Sequence, residues 1–245
     1  MGKYIRLVLA AAFMVIACGN AFAQFGVGAG YMLSTNRTRL EGVDKPSNMS
    51  TNGFYAGVYY DMNIIGDALS VRPGLYYQHL MKVNEIKSSF SNVKITNTYT
   101  DNFIAVPLHL KGAINVLPGI LKLYVFAGPT FEIGLSASDK LAIKGNTSLD
   151  NAIDGKITYN YYTQKVKAAS LTDAQAGVYD DFLPSESHYR RFDVMIGGGA
   201  GLEIVKFIDF KVGYDYGLVN RFKGDFVDIG KLNRDQFYVG LAVRF

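Results

Sequence analysis

The alternation of residue character predicts an all-β chain: an eight-stranded antiparallel up-and-down barrel that spans a membrane, with long extracellular loops and short periplasmic turns. Three observations predict it. From Leu121 to Leu135 every second residue is apolar (Leu121, Leu123, Val125, Ala127, Pro129, Phe131, Ile133, Leu135), while Lys122, Glu132, Gly128 and Gly134 fall between them. A period of two is the signature of a strand with one apolar face. Seven more stretches repeat the pattern, each long enough for a tilted membrane strand of about 9–11 residues. The connections between them alternate long and short, as they do in outer-membrane barrels. In hydrocarbon every backbone polar group needs a protein partner, so such strands must close on themselves.

The chain opens with Lys3 and Arg6, an apolar run from Leu7 to Ala17, and Ala21-Phe22-Ala23. That is the make-up of a secretory signal peptide over residues 1–23, cleaved between Ala23 and Gln24. Val15-Ile16-Ala17-Cys18 offers a competing lipoprotein site with an acylated Cys18. Cleavage after Ala23 removes the one cysteine, and with it disulfides and thiolate zinc sites. No later apolar run approaches a helical span of about 20 residues. The net charge of +4 includes the leader's Lys3 and Arg6 and is too mild to argue for nucleic acid. Tryptophan is absent, so an interfacial girdle must be built from Tyr and Phe. Residues 24–245 make one domain.

The first strand, Phe25–Leu33, sets Phe25, Val27, Ala29, Tyr31 and Leu33 against Gly26, Gly28 and Gly30; the polar linker Ser34–Ser50 follows. The second, Gly53–Asn63, sets Phe54, Ala56 and Val58 against Tyr55, Gly57, Tyr59 and Asp61, and ends at a short Gly66-Asp67 connection. The third, Leu69–Lys82, opposes Val71, Pro73 and Leu75 to Arg72, Gly74 and Tyr76, then leads into the polar loop Asn84–Thr98. The fourth, Asp101–Ile114, opposes Ile104, Val106, Leu108 and Leu110 to Phe103, Ala105, Pro107, His109 and Lys111. Asn115–Gly119 is a tight turn marked by Pro118-Gly119. After the fifth strand comes a long extracellular loop, Ser136–Ser187, with a strand-like Ile157–Tyr161 stretch. Leu171, Ala174, Val178 and Phe182 fall at helical spacing in the same loop. The sixth and seventh strands, Arg191–Ile204 and Ile208–Leu218, flank a Val205-Lys206-Phe207 turn, and the basic loop Asn220–Arg234 precedes the last strand, which ends at Phe245.

An eight-stranded barrel is just wide enough for side chains to fill. The inward positions supply the acids Asp61, Glu132, Asp193, Glu203, Asp209 and Asp215 and the bases Arg72, Lys111, Lys122, Arg191, Lys211 and Arg244. Buried charges must be paired, and six against six permits it, so a polar lumen network is expected, with the glycines making room for Tyr and Arg. Pro107 and Pro129, either side of the tight turn, are expected to share a bulge. The Gly-rich stretches Gly26–Gly30 and Gly197–Gly201 lack the helix start that a phosphate cradle needs. His79, His109 and His188 share no metal-ligand spacing, and His188 with Ser185, Ser187 and Asp181 has no geometry fixing a hydrolase site. No catalytic residue, metal or cofactor is expected. Arg37, Arg39, Arg221 and Arg234 fall in outer loops, where guanidinium groups can grip lipid phosphate.

Ile104-Ala-Val-Pro-Leu-His-Leu-Lys-Gly112, Val125-Phe-Ala-Gly-Pro-Thr-Phe-Glu-Ile-Gly134, Gly197–Glu203, Gly213-Tyr-Asp-Tyr-Gly217 and the closing Tyr238–Phe245 resemble the PorT-like outer-membrane β-barrel family, often labelled porin-family proteins. That family is similar in architecture to OmpA-type eight-stranded barrels and has no shared catalytic residues. The resemblance implies a Gram-negative outer-membrane location with both termini periplasmic. It also implies contact with lipid and lipopolysaccharide, and insertion by the outer-membrane assembly machinery through the strand ending in Phe245. The expected function is a non-catalytic structural or surface-binding scaffold with an unidentified extracellular ligand. The alternatives are a porin-like small-solute channel and a lipid-modifying enzyme.

Overall fold

The computed structural model describes residues 24–42, 47–87, 94–144, 155–168, 189–224 and 226–245. The signal peptide and its Ala23 and Cys18 sites lie outside them, as do Leu171–Phe182 and the Ser185, Ser187, His188 and Asp181 group. The strands are β1 (Gln24–Leu40), β2 (Ser47–Ile65), β3 (Leu69–Lys87), β4 (Lys94–Leu117), β5 (Leu121–Lys144), β6 (Gly155–Asn160), β7 (Val166–Ala168), β8 (Phe192–Ile204), β9 (Ile208–Gly217) and β10 (Gly230–Arg244). A single turn of helix, α1 (Phe226–Ile229), precedes β10. Antiparallel pairing runs β4-β3-β2-β1-β10-β9-β8-β5, and β5 pairs back to β4. The result is a closed ring of eight strands, in which β1 against β10 joins the two ends of the chain.

Closure leaves no edge within the ring, and the pleat divides the side chains between lipid and lumen. Val27, Phe54, Leu110, Val125, Ile196, Tyr216 and Leu241 are all exposed on the outer face. An apolar band of this kind is stable only against hydrocarbon. The inner positions hold Tyr55, Tyr59, Tyr76, Phe103, Tyr124, Phe126 and Tyr238, all buried. The inward glycines are the other half of this packing. A methyl group at Gly26, Gly201 or Gly213 would lie 2.3–2.5 Å from the ring of Tyr59, Tyr124 or Tyr238 respectively.

Three short turns lie at one end of the barrel, together with Gln24 and Phe245, and the long connections at the other. Gly66 and Gly119 take positive φ in two of the turns. In the third, Val205 and Lys206 do so at 45° and 64°, a conformation that costs a β-branched residue strain. At the long-connection end the strands run well past the lengths predicted. Most of Ser34–Ser50 and Asn84–Thr98 is paired strand, and β5 continues to Lys144. Polar residues there hide the alternation, while backbone pairing in a long hairpin continues. Above Ile133, β5 exchanges its partner β8 for β6, and β7 pairs with β6 outside the ring. A sheet formed by the upper parts of β3, β4, β5, β6 and β7 therefore stands beyond the rim.

The shared proline bulge is not observed. Pro107 lies opposite Thr130, beside Pro129, and the β4–β5 ladder skips two residues on each strand before resuming at Leu110 and Ala127 in unchanged register. The β3–β4 ladder skips likewise between Pro73 and Tyr76. Proline removes a donor without needing an extra residue, so the wall has a gap in its bonding while the register is kept. The register of this ladder shifts elsewhere, at Leu135 between Gly134 and Ser136 and at Val116 between Asn115 and Leu117.

Candidate functional site: the filled lumen and its mouth

Near the short-turn end, three acids and three bases from six different strands meet across the lumen. Asp61 on β2 accepts two hydrogen bonds from Arg72 on β3, at 2.6 and 2.8 Å, one from Lys111 on β4 at 3.0 Å and one from Arg244 on β10 at 2.8 Å. Arg72 also reaches Asp209 on β9 at 2.9 Å and Glu203 on β8 at 3.5 Å. Lys111 and Arg244 both pair with Glu203. Tyr59 and Tyr124 donate their hydroxyls to Asp209, and their rings flank the Arg72 guanidinium. Lys122 lies at the edge of this group, 3.8 Å from Glu203 and 3.4 Å from exposed Asp67.

At mid-height Lys211 is caged by the rings of Tyr55, Tyr76 and Tyr238, 4.5–5.6 Å away, and donates to the Tyr76 hydroxyl at 3.2 Å. Asp215 accepts from Gln236, Thr130 and Tyr238. A cavity of about 30 Å³ lies between them, lined in part by Tyr55, His109 and Gln236. The Tyr55 hydroxyl, His109 Nε2 and Gln236 Oε1 find no partner among the described residues. A second cavity of about 10 Å³ sits beside Gly74 and Pro107. A water needs about 10–15 Å³ and two or more polar partners, so the larger space suits about two waters and falls far short of a bore.

The mouth, at the long-connection end, is closed differently. Arg234 on β10 pairs with Glu132 and lies 3.8 Å over the ring of Phe103; Gln78 donates to Glu132 at 2.9 Å. Arg221 comes from the connection between β9 and β10. It lies 3.5 Å from Asp101 and donates to the hydroxyl of Tyr162, from the connection between β6 and β7, at 3.1 Å. Tyr162 is buried in this mouth. A methyl at Gly134 would collide with the Tyr162 hydroxyl. Beyond the rim, Tyr99, Tyr161, Tyr189 and Phe222 stack edge to face in a chain, and Tyr161 donates to Asp139. Burial and that carboxylate raise the Tyr161 phenol's pKa.

The inward acids and bases read from the alternation are brought together here, with one exception. Arg191 is exposed at the rim, its guanidinium 4.7 Å over the Tyr162 ring, because β8 begins after it. Two of the four arginines expected at lipid phosphate are placed otherwise. Arg221 and Arg234 are 1% and 0% exposed and face the lumen. β10 starts at Gly230, which puts Arg234 on the inward phase, and Arg221 is drawn in by its backbone bond to Leu232. Arg37 faces outward but is held by Asp235 at 2.7 Å and stacked on Tyr216. Arg39 is exposed. Among the described residues Phe245 is the most exposed large apolar one, and its ring lies 6.3 Å from that of Phe25. Asp101 and Gln78 were legible from their inward phase alone, and Tyr162 only as a tyrosine of the Ser136–Ser187 loop, with no signal for its burial. Among the described residues no group of three or more His, Cys, Asp and Glu could hold a metal.

Apolar outside, aromatic and ion-paired within, and closed strand to strand, the molecule is a small membrane β-barrel. Residues 20–223 match the family model described as "Outer membrane protein beta-barrel domain", and the chain belongs to that family, which is housed in the Gram-negative outer membrane. No curated protein matches the chain in sequence. Among solved structures it is similar to Ail of Yersinia pestis in complex with the heparin analogue sucrose octasulfate: 11% identity, 91% of this chain and 99% of that one, TM-score 0.39. It is likewise similar to OprG from Pseudomonas aeruginosa, at 10% identity over 93% and 98% of the two chains with a TM-score of 0.40. For Neisserial surface protein A the values are 13%, 90%, 97% and 0.36.

Proposed function

We propose that the chain is a non-catalytic scaffold: a rigid barrel with a filled lumen that presents a binding surface beyond its long-connection rim. The observation that carries this reading is the wall-to-wall contact of Asp61, Arg72, Lys111, Glu203, Asp209 and Arg244, six strands joined across the bore. A buried network of this kind holds its members only while all remain paired, so it resists the rearrangement that conduction needs. In this reading the signal peptide is cleaved after Ala23, both termini are periplasmic and the long connections extracellular. Within its family the chain belongs with the PorT-like barrels, and Phe245 ends the strand read by the assembly machinery. Planar-bilayer recording of the purified barrel tests the scaffold role: no discrete conductance steps are expected, and reproducible single-channel openings would overturn it in favour of a small-solute channel.

A further inference from the structure

The sheet that rises beyond the rim has two unlike faces. Its inward register positions include Asn84, Asn97, Leu141 and Ile157, with Ile95 above them. Its outward positions collect lysine. One ladder row reads Val83, Thr98, Lys140, Thr158, Lys167, and the next outward row reads Glu85, Thr96, Ala142, Lys156. Among the described side chains these positions hold three lysines, Lys140, Lys156 and Lys167, and one acid, Glu85. Lys140, Lys156 and Lys167 are exposed. Lys156 lies close enough to Lys140 to hold its ammonium below the ordinary lysine range, the effect expected of two cations with no anion between them.

We propose that this lysine face is a docking surface for the phosphorylated saccharide headgroups of the leaflet in which the barrel sits. Continuity with the membrane contact is the first reason. The same outer face, lower on the same strands, turns Leu108, Val125 and Leu135 to lipid, so the layer that lies against its continuation is that of the headgroups. Charge is the second: cross-strand like charges repel unless an anion lies between them. Spacing is the third. Neighbouring strands are about 4.8 Å apart and alternate residues about 6.8 Å along each, so Lys140 and Lys156 together can hold one phosphate and Lys167, two strands across from Lys140, a second on the same headgroup. Each is a flexible point charge, so the surface selects charge density and not one fixed phosphate geometry.

This rests on the scaffold reading for the surface's availability, and its test is separate from conductance. The purified barrel in phospholipid nanodiscs is titrated at low salt with phosphorylated lipopolysaccharide, with the same lipopolysaccharide dephosphorylated, and with dextran sulfate as a free polyanion. Wild type is expected to bind the phosphorylated form, and to lose about 100-fold in affinity when Lys140→Gln, Lys156→Gln and Lys167→Gln are combined, at about fivefold per lysine near an anionic surface. The triple Lys→Arg variant should keep wild-type affinity. Retained affinity in the Gln variant, or equal binding of the dephosphorylated form by wild type, overturns the proposal. Equal binding of dextran sulfate overturns the headgroup as its ligand. If the Gln variant fails to show the folded barrel's gel mobility, the wild-type dephosphorylation arm and the Arg variant still decide. Conductance steps with headgroup binding intact would sink the scaffold reading alone.

Discussion

The lumen near the short turns and the mouth near the long connections are both filled by ion pairs, but they are filled from different sources. In the lower network every charge comes from a strand at its regular inward phase, and Asp61, Glu203 and Asp209 balance Arg72, Lys111 and Arg244 one for one. At the mouth, Asp101, Glu132 and Asp193 face Arg221 and Arg234, and one of these arginines and the capping Tyr162 come from connections. Asp193 is buried, with one oxygen accepting from Val194 N–H and the other without a partner among the described residues. The lower network is thus a closed structural plug, while the mouth is a cap built partly from connections outside the wall.

That difference is sharpest in a pair of substitutions. Asp61→Asn removes half the acceptor capacity from three buried cations at once, and an uncompensated buried charge costs about 3–5 kcal/mol. Asp193→Asn removes a charge that the mouth does not balance, and should change stability by less than about 1 kcal/mol. Urea unfolding in liposomes, with heat-modifiable gel mobility as the folded-state check, measures both. Equal losses would mean that mouth and plug are energetically one unit.

The wall itself gives the next effect. Val125 is 63% exposed on the lipid face, and Val125→Lys at mid-membrane costs about 2–4 kcal/mol. Tyr124 beside it is no neutral control. Its ring fills the space over Gly201 and its hydroxyl serves Asp209, so it is part of the plug. Thr158→Lys, on the sheet beyond the rim, is the better comparison: set between Lys140 and Lys167 it should cost no more than about 1 kcal/mol of like-charge repulsion, well below the loss at Val125. A large loss at Thr158 in the same titration would mean the outer sheet is pressed against something it needs.

These contrasts also mark how far the sequence could be read. Alternation placed nearly every inward charge of the wall, because a period of two is imposed by the pleat whatever the neighbouring residues are. It failed for Arg234 and Arg221, since polar strand above the membrane has no apolar face to announce its phase. It failed entirely for Tyr162, whose burial depends on a connection folding back over Gly134, a contact between segments far apart in the chain. The loop Ser136–Ser187 is the case in point. Excising 140–184 would remove the tip of β5, all of β6 and β7, and the residue that caps Arg221. The cleaner cut is Tyr162→Ala, expected to cost about 2–4 kcal/mol by analogy with buried aromatic truncations, measured in the same urea titration. No change would show that the cap rests on the mouth without supporting it.

The smallest expected effect lies on the outer face of the β1–β10 pair, above the aromatic girdle of Tyr214 and Tyr216. Arg39 stands directly opposite Lys231 in the ladder, and both are exposed. Like charges directly opposed on a sheet face destabilise the pair. Two residues below, Arg37 shows the satisfied alternative, clasped by Asp235 and stacked on Tyr216. Lys231→Glu would turn the repelling pair into an attracting one, and exposed pairs of this kind are worth about 0.2–1 kcal/mol. In detergent at low salt the variant should therefore be slightly more stable than wild type, with the gain shrinking as salt rises. In liposomes rich in phosphorylated lipopolysaccharide the sign should differ if anions already bridge Arg39 and Lys231, since the substitution would then remove a cation that lipid had neutralised. Equal gains in detergent and in lipopolysaccharide would confine headgroup contact to the lysine face on the far side of the barrel, around β5 and β6.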